Sequence, residues 1–222
     1  MRNIALILLG GVGKRVGSDT PKQFLLKKDI PIYIYSISNY QDIELITDIV
    51  LVVHSDYLEK VKEDVNKYHL TKVRDIIIGG KERFISSYLG VKRCKELFDK
   101  NDNVLIADAV RPNTSRQIIL ANLFALNEEN AVLTAIKGTN ISGRIDTAHI
   151  VGNVAFLAQT PQSFKLGFIS DLYEQYINEE NFFPTDEISI VEMAKKPYVI
   201  VEGEKENYKI TTIEDLNRFI NS

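Results

Sequence analysis

Leu8 to Phe24 reads LLGGVGKRVGSDTPKQF. It continues a short aliphatic run, Asn3 to Leu9, whose length and composition suit a strand buried on both faces. Gly10, Gly11 and Gly13 then let the backbone take positive φ and approach a ligand closely, while Lys14, Arg15 and Lys22 bring three cations to the same loop. That combination suits a polyphosphate. Two well-known phosphate loops are excluded. A Walker A loop needs glycine at position 8 and a hydroxyl residue after Lys14, where the chain has Leu8 and Arg15. A dinucleotide fingerprint starting at Gly11 needs its third glycine at position 16, which is Val16.

Working outward, the pattern predicts a helix over Ile30 to Tyr40 opened by Pro31, and a strand over Ile46 to Val53. Ser55 is the expected cap of a helix over Asp56 to Tyr68, and Val73 to Ile78 reads as a strand ending at Gly79 and Gly80. Arg83 to Phe98 reads as a helix and Val104 to Ala107 as a strand delivering Asp108. Thr114 or Ser115 caps a helix to about Leu126, and a strand follows over Ala131 to Ile136. Between Lys137 and Leu157 helical period is lost and three glycines punctuate short apolar pieces, which predicts a projecting β-hairpin arm. Lys165 to Tyr176 reads as a helix, with another beginning near Thr185 or Ser189 and running to Ala194. Tyr198 to Val201 is a strand, and Thr212 with Asp215 three residues on opens the closing helix.

Strand and helix alternate, so the expected fold is α/β: one Rossmann-like domain over residues 1–222, its mixed, mainly parallel sheet flanked by helices, with the β-arm at about 137–157. A ligand site belongs at the carboxyl ends of the strands. The 222 residues, 45% of them hydrophobic, can bury a substantial core, and the net charge of −3 offers no electrostatic case for nucleic acid. Cys94 is the only cysteine, which excludes an intrachain disulfide and favours a reducing compartment; its polar helical setting suits an inert thiol. MRNIALILLGG is too short an apolar run for a membrane span and lacks a cleavage-like site, so a cytoplasmic protein is expected, with no membrane partner. His54, His69 and His149 lack metal-ligand spacing and are expected at the surface or in structural roles.

The first loop, GG-x-G-x-R-x-G followed by PKQF, resembles the signature of nucleotidyltransferases that join a nucleoside triphosphate to a sugar or alditol phosphate. PKQF narrows the resemblance to cytidylyltransferases acting on methylerythritol phosphate or ribitol phosphate. Matching segments recur along nearly the whole chain: GGKERFISS at Gly79 to Ser87, ADAVRP around Asp108, AQTPQSF at Ala158 to Phe164, TDEIS at Thr185 to Ser189 and NYKITT around Lys209. The resemblance implies that Arg15, Lys22 and Lys209 are catalytic. It implies that Leu9, Gly10, Gly11, Gly80, Lys81, Ser86, Ala109, Arg111 and Thr160 bind the nucleotide, and that Asp108 holds a magnesium ion, Mg2+, which suits a carboxylate at a strand end. Acceptor contacts are expected from Thr139, Asn140, Arg144 and Asp186, the last with a fold-supporting role as the alternative.

Three departures from the family pattern stand out. Ala107 replaces a histidine often found before the aspartate, and Glu206 replaces an aspartate. The arginine that grips the acceptor phosphate eight residues before the TPQ threonine is replaced by Gly152. The reading is a CTP-dependent cytidylyltransferase that forms a CDP-alditol from an alditol phosphate of the ribitol 5-phosphate type, releasing pyrophosphate, and works as a homodimer through the arm. Such an activity belongs to teichoic acid or polysaccharide synthesis. The alternatives are a methylerythritol phosphate cytidylyltransferase of isoprenoid synthesis and a nucleotide-binding protein without catalysis.

Overall fold

The computed structural model describes residues 1–10, 20–138 and 148–222. Gly11, Lys14 and Arg15, and likewise Thr139, Asn140 and Arg144, lie outside the described residues. The strands are β1 (Asn3–Leu8), β2 (Leu26–Lys27), β3 (Ile30–Pro31), β4 (Asp48–Val53), β5 (Val73–Ile78), β6 (Asn103–Asp108), β7 (Ala131–Lys137), β8 (Ala148–Val151), β9 (Val154–Lys165) and β10 (Val199–Glu202). The helices are α1 (Ile32–Gln41), α2 (Leu58–Lys67), α3 (Arg83–Leu97), α4 (Arg116–Ala125), α5 (Leu166–Tyr176), α6 (Glu187–Met193) and α7 (Ile213–Ile220).

The main sheet has the order β10-β7-β9-β6-β1-β4-β5, with β8 paired to β9. Neighbouring pairs are parallel except where β9 runs antiparallel to β6, β7 and β8. β1 shows why the sheet is buried on both sides. Ile4, Leu6 and Leu8 point into a core shared with α3, α5 and α6, while Ala5, Ile7 and Leu9 point into a second core shared with α1, α2 and α4. Period-two alternation of an unbroken aliphatic run therefore feeds two helix layers at once. A third, smaller core of Ile32, Val110, Ile210, Leu216 and Phe219 seats α7 against the turn that follows β6.

Two local expectations are corrected, and two further elements are defined by the structure. Ser55 does not cap α2: it opens a single 3-10 turn over Ser55–Tyr57, which His54 caps with a ring nitrogen that accepts from the Asp56 amide, and α2 follows with Tyr57 as its N-cap and no side-chain cap bond. α1 opens at Ile32 with Pro31 as its N-cap, because Pro31 is still paired in β3. Asp186 caps α6 in a reciprocal box with Ser189. The AQTPQSF segment, for which no element was expected, forms the carboxyl half of β9, a central strand. Gln159, Thr160, Gln162 and Ser163 disguise it in sequence, yet each is buried and hydrogen-bonded to another segment of the fold. Ser115 caps α4 and Thr212 caps α7 as expected.

Cys94 is wholly buried in α3, and burial pushes its thiol up to about 12, so it is inert packing. Gly90 in the same helix touches the sheet so closely that an added Cβ would meet Leu6 at 2.7 Å and Val52 at 2.9 Å. Gly90→Val is therefore expected to overpack this contact and lower stability by about 1–3 kcal/mol, read as a drop in the urea midpoint at unchanged slope.

Candidate active site

β1, β4, β5 and β6 all end on one edge of the sheet, and the loops that leave them meet there. Leu8 is in register with Asp108, the Leu9 amide donates to the Val52 carbonyl, and the Gly79 amide donates to the Val53 carbonyl. The PKQF segment forms a 3-10 turn over Lys22–Phe24, pinned to this edge by the Gln23 side-chain amide, which donates to the Leu9 carbonyl at 2.9 Å. Phe24 packs against Tyr33 and stacks on Tyr57, so the backbone carrying Lys22 is anchored from both sides.

The loop after β5 is tight for a steric reason. The Ser86 hydroxyl lies where Gly79 and Gly10 have no side chain: a Cβ would meet it at 2.7 Å and 3.3 Å. Gly80 faces Ile85, which a Cβ would strike, and its amide donates to Ser86 Oγ at 3.1 Å. Ser86 thus joins the loops after β1 and β5, while Lys81 beside it is exposed.

Asp108 is the electrostatic centre. It is 7% exposed, and its two oxygens face Lys209 Nζ at 3.0 Å, Arg83 Nε at 3.3 Å and Arg111 Nε at 3.7 Å. Burial alone would raise the Asp108 pKa, but Lys209, Arg83 and Arg111 outweigh it and hold the carboxyl well below the usual carboxylate range. Its backbone amide donates to Thr160 Oγ1 at 3.1 Å, which places the TPQ threonine directly beneath it. Ala109, next in chain, is buried and its amide continues the β1 ladder by donating to the Leu8 carbonyl.

Lys209 reaches this point because its loop is tied down by Asn207, a wholly buried residue. The Asn207 amide donates to Gln159 Oε1 and the Thr160 carbonyl, both at 3.0 Å, its Oδ1 accepts from Thr114, and its carbonyl accepts from Arg111 Nη1 at 2.6 Å. Glu206, in the same loop, is exposed. Sequence reading did not single out Asn207, nor Arg83 and Glu187 as a pair: Arg83 binds Glu187 with both terminal nitrogens, at 2.8 and 3.2 Å, while turning Nε to Asp108. Their only signal was position, inside the GG-x-x-R, TDE and NYK segments.

Three segments distant in sequence thus place cations on one strand-end carboxylate, beside a glycine-gated loop and the PKQF turn. A site of this kind has the charge and the small loop residues to hold a polyphosphate. The sequence pattern of the 2-C-methyl-D-erythritol 4-phosphate cytidylyltransferase family matches residues 3–219. The chain belongs to this family of cytidylyltransferases. It is 36% identical over 219 residues to the 2-C-methyl-D-erythritol 4-phosphate cytidylyltransferase of Thermosipho melanesiensis, covering 96% of this chain and 94% of that one. It is also 32% identical over 225 residues to the ribitol-5-phosphate cytidylyltransferase of Streptococcus agalactiae, covering 99% and 94%. Among solved structures, the 4-diphosphocytidyl-2C-methyl-D-erythritol synthase of Anaerococcus prevotii superimposes with a TM-score of 0.78 at 27% identity, over 99% of this chain and 94% of that chain.

In this cytidylyltransferase Asp186, expected near the acceptor or in support of the fold, and His149, expected at the surface or in a structural role, meet each other. Asp186 is buried with its oxygens engaged by the Ser189 amide, Gln162 Nε2 and His149, which is a fold-supporting arrangement. His149 proves buried, joining β8 to α6: Nε2 is 2.9 Å from Asp186 and Nδ1 is 3.0 Å from Glu192. Burial pulls the His149 pKa down, but the hydrogen bonds and charges of Asp186 and Glu192 overcome this and leave it raised. A raised folded pKa gives stability that is complete below the unfolded value of about 6.5 and lost as pH climbs through the folded value. The stability gap between wild type and His149→Gln, measured by chemical denaturation, is therefore expected to be widest at pH near 6 and to narrow towards pH 9.

Asn207→Ala removes the buried amide and leaves its partners unpaired, so a loss of about 1–3 kcal/mol is expected by denaturant titration, together with a fall in turnover as Lys209 loses its anchor.

Proposed function

We propose that this cytidylyltransferase transfers CMP from CTP to an alditol phosphate of the ribitol 5-phosphate type and releases pyrophosphate. The observation that carries the transfer chemistry is the gathering of Lys209, Arg83 and Arg111 on Asp108 at the sheet edge. In this reading the acceptor's phosphate oxygen attacks the α-phosphorus of CTP; the new P–O bond forms as the bond to the β-phosphate oxygen breaks and pyrophosphate leaves with the electron pair. The second pKa of such a phosphate is about 6, so the nucleophile is already ionised near neutral pH and no general base is needed.

What the reaction requires is alignment of two anions and cover for the charge that grows on the equatorial and leaving oxygens. Lys22 and Arg15 are assigned to the triphosphate and leaving group, and Lys209 to the α-phosphate. Gly80, Lys81 and Ser86 are assigned to the cytosine, where the close-packed glycines leave too little room for a purine. Leu9, Gly10, Gly11, Ala109, Arg111 and Thr160 complete the nucleotide side. Asp108 fits a divalent cation as its one protein carboxylate, since Mg2+ keeps waters and takes its remaining ligands from substrate phosphates. When bound there, the ion would neutralise phosphate charge.

The acceptor is argued from Gly152. It occupies the β8–β9 turn at φ +61° with open space around it, so the acceptor-gripping arginine expected there from the family pattern is missing. The missing arginine supports an altered acceptor, and the 32% identical ribitol-5-phosphate cytidylyltransferase supports the ribitol type. The second reading, 2-C-methyl-D-erythritol 4-phosphate, is supported by the family description and the 36% identical relative. Arg144, Thr139 and Asn140 remain the proposed acceptor contacts. Exposed Ile150 and Val151 on the hairpin support a homodimer formed through it. Among the described residues no helix is long and apolar enough to cross a membrane, which with the single cysteine supports the cytoplasmic assignment.

Two measurements test this. Lys22→Ala and Lys209→Ala are expected to fold and to lose about 100-fold or more in kcat/KM; near-wild-type rates in either would refute its role. Pyrophosphate release from CTP and Mg2+ with a panel of alditol and sugar phosphates is expected to be fastest with ribitol 5-phosphate. A preference for 2-C-methyl-D-erythritol 4-phosphate would transfer the assignment to the second reading.

A further inference from the structure

The two oxygens of Asp108 are held in different ways. Oδ1 faces Arg83, whose guanidinium is locked in turn by the two-point pair with Glu187. Glu187 is wholly buried, it also accepts from the Tyr173 hydroxyl at 3.5 Å, and it is the first residue of α6, where the box between Asp186 and Ser189 fixes the backbone. Oδ2 faces Lys209 at 3.0 Å, with Arg111 Nε farther off at 3.7 Å; among the described residues Asp108 is the one carboxylate that Lys209 pairs with, through a flexible four-carbon stem. The first pairing is rigid. The second is exchangeable.

We infer that Glu187 is a positioning residue for the transfer reaction: by immobilising Arg83 it fixes the rotamer of Asp108 so that only Oδ2 is presented to the incoming nucleotide, with Lys209 as the group that vacates it. On this view Lys209 sits on Asp108 in the free enzyme and passes to the α-phosphate when the nucleotide and its cation arrive, so that one lysine serves as placeholder and as phosphate ligand. Arg83 cannot act as the placeholder, because leaving Asp108 would mean pulling against a buried two-point ion pair. This inference rests on the reading of Asp108 as the cation-bearing carboxylate.

A purely architectural Arg83–Glu187 pair would affect stability and nothing else, so the test reads cation binding directly. Free Mn2+ is counted by spin resonance in the presence of CTP and enzyme without acceptor. Glu187→Gln keeps the shape and removes the charge; it is expected to weaken Mn2+ binding about 10-fold or more, in line with other groups that orient a metal ligand, and to lower kcat without changing the acceptor KM. Arg83→Lys keeps a charge but cannot span both carboxylates, and should behave alike. The Glu187→Gln/Arg83→Lys double variant should be no worse than the more affected single variant. Wild-type Mn2+ affinity and kcat in a folded Glu187→Gln, or additive losses in the double variant, would overturn the inference. If Glu187→Gln does not fold, Arg83→Lys decides by the same readouts. Asp108→Asn separates the two levels: if it keeps Mn2+ affinity, the cation assignment itself fails, whereas loss there with an unaffected Glu187→Gln removes only the relay.

Discussion

A single buried carboxylate, ringed by cations from three parts of the chain, governs the layout of this enzyme. Asp108 leaves the end of β6 where the sheet offers no backbone partner for its side chain, and an ionised carboxylate in that position is tolerable only if it is paired and hydrogen-bonded. Lys209, Arg83 and Arg111 supply the pairing. Each of them needs its own support: α6 holds Arg83 through Glu187, and the Asn207 loop holds Lys209 and Arg111. The carboxylate therefore dictates which elements must converge on this edge of the sheet.

The antiparallel strand β9 is what makes convergence possible. Inserted between β6 and β7, it carries Thr160 under the Asp108 amide, Gln159 against the Lys209 loop and Gln162 against the start of α6. Buried amide and hydroxyl side chains on a central strand are costly unless satisfied, and here they are satisfied by the three segments that build the site. The same hydrogen bonds that make the strand tolerable thus tie the catalytic edge together. Because every partner is a backbone or side-chain group of fixed geometry, the network resists small displacements, which suits a reaction that depends on alignment more than on proton transfer.

The cations at this edge are held close by Asp108 and Glu187. Three cations face two buried carboxylates, which leaves an excess of positive charge of the kind the proposed triphosphate site needs while no cation stands unopposed. In the neighbouring loop, proposed to take the cytosine, Ser86 and Ile85 fill the space above Gly10, Gly79 and Gly80. Charge and steric exclusion are thereby carried by separate loops on adjacent strands.

Much of this was legible in the amino-acid sequence. The alternating aliphatic run of β1, the glycines after β1 and β5, and the capping pair Thr212 and Asp215 are local signals, set by backbone conformation and side-chain period within a few residues. From them followed the α/β class and the expectation of a ligand site at the strand ends, whereas Asp108, Lys22 and Lys209 were singled out by the resemblance of their segments to a known family. The carboxyl half of β9 was not assigned to any element, because its polar residues give no strand period until their partners, dozens of residues away, are known. For the same reason Asn207 and the Arg83–Glu187 pair were missed, and the structural role expected for His149 had no named partners: a buried polar residue is defined by what it meets, and that is settled by packing. The sequence by itself determined the elements and the kind of charge brought to the site. Only the tertiary structure decided which charge meets which, because ion pairing and hydrogen bonding between distant segments depend on distances of a few ångströms that no local pattern encodes.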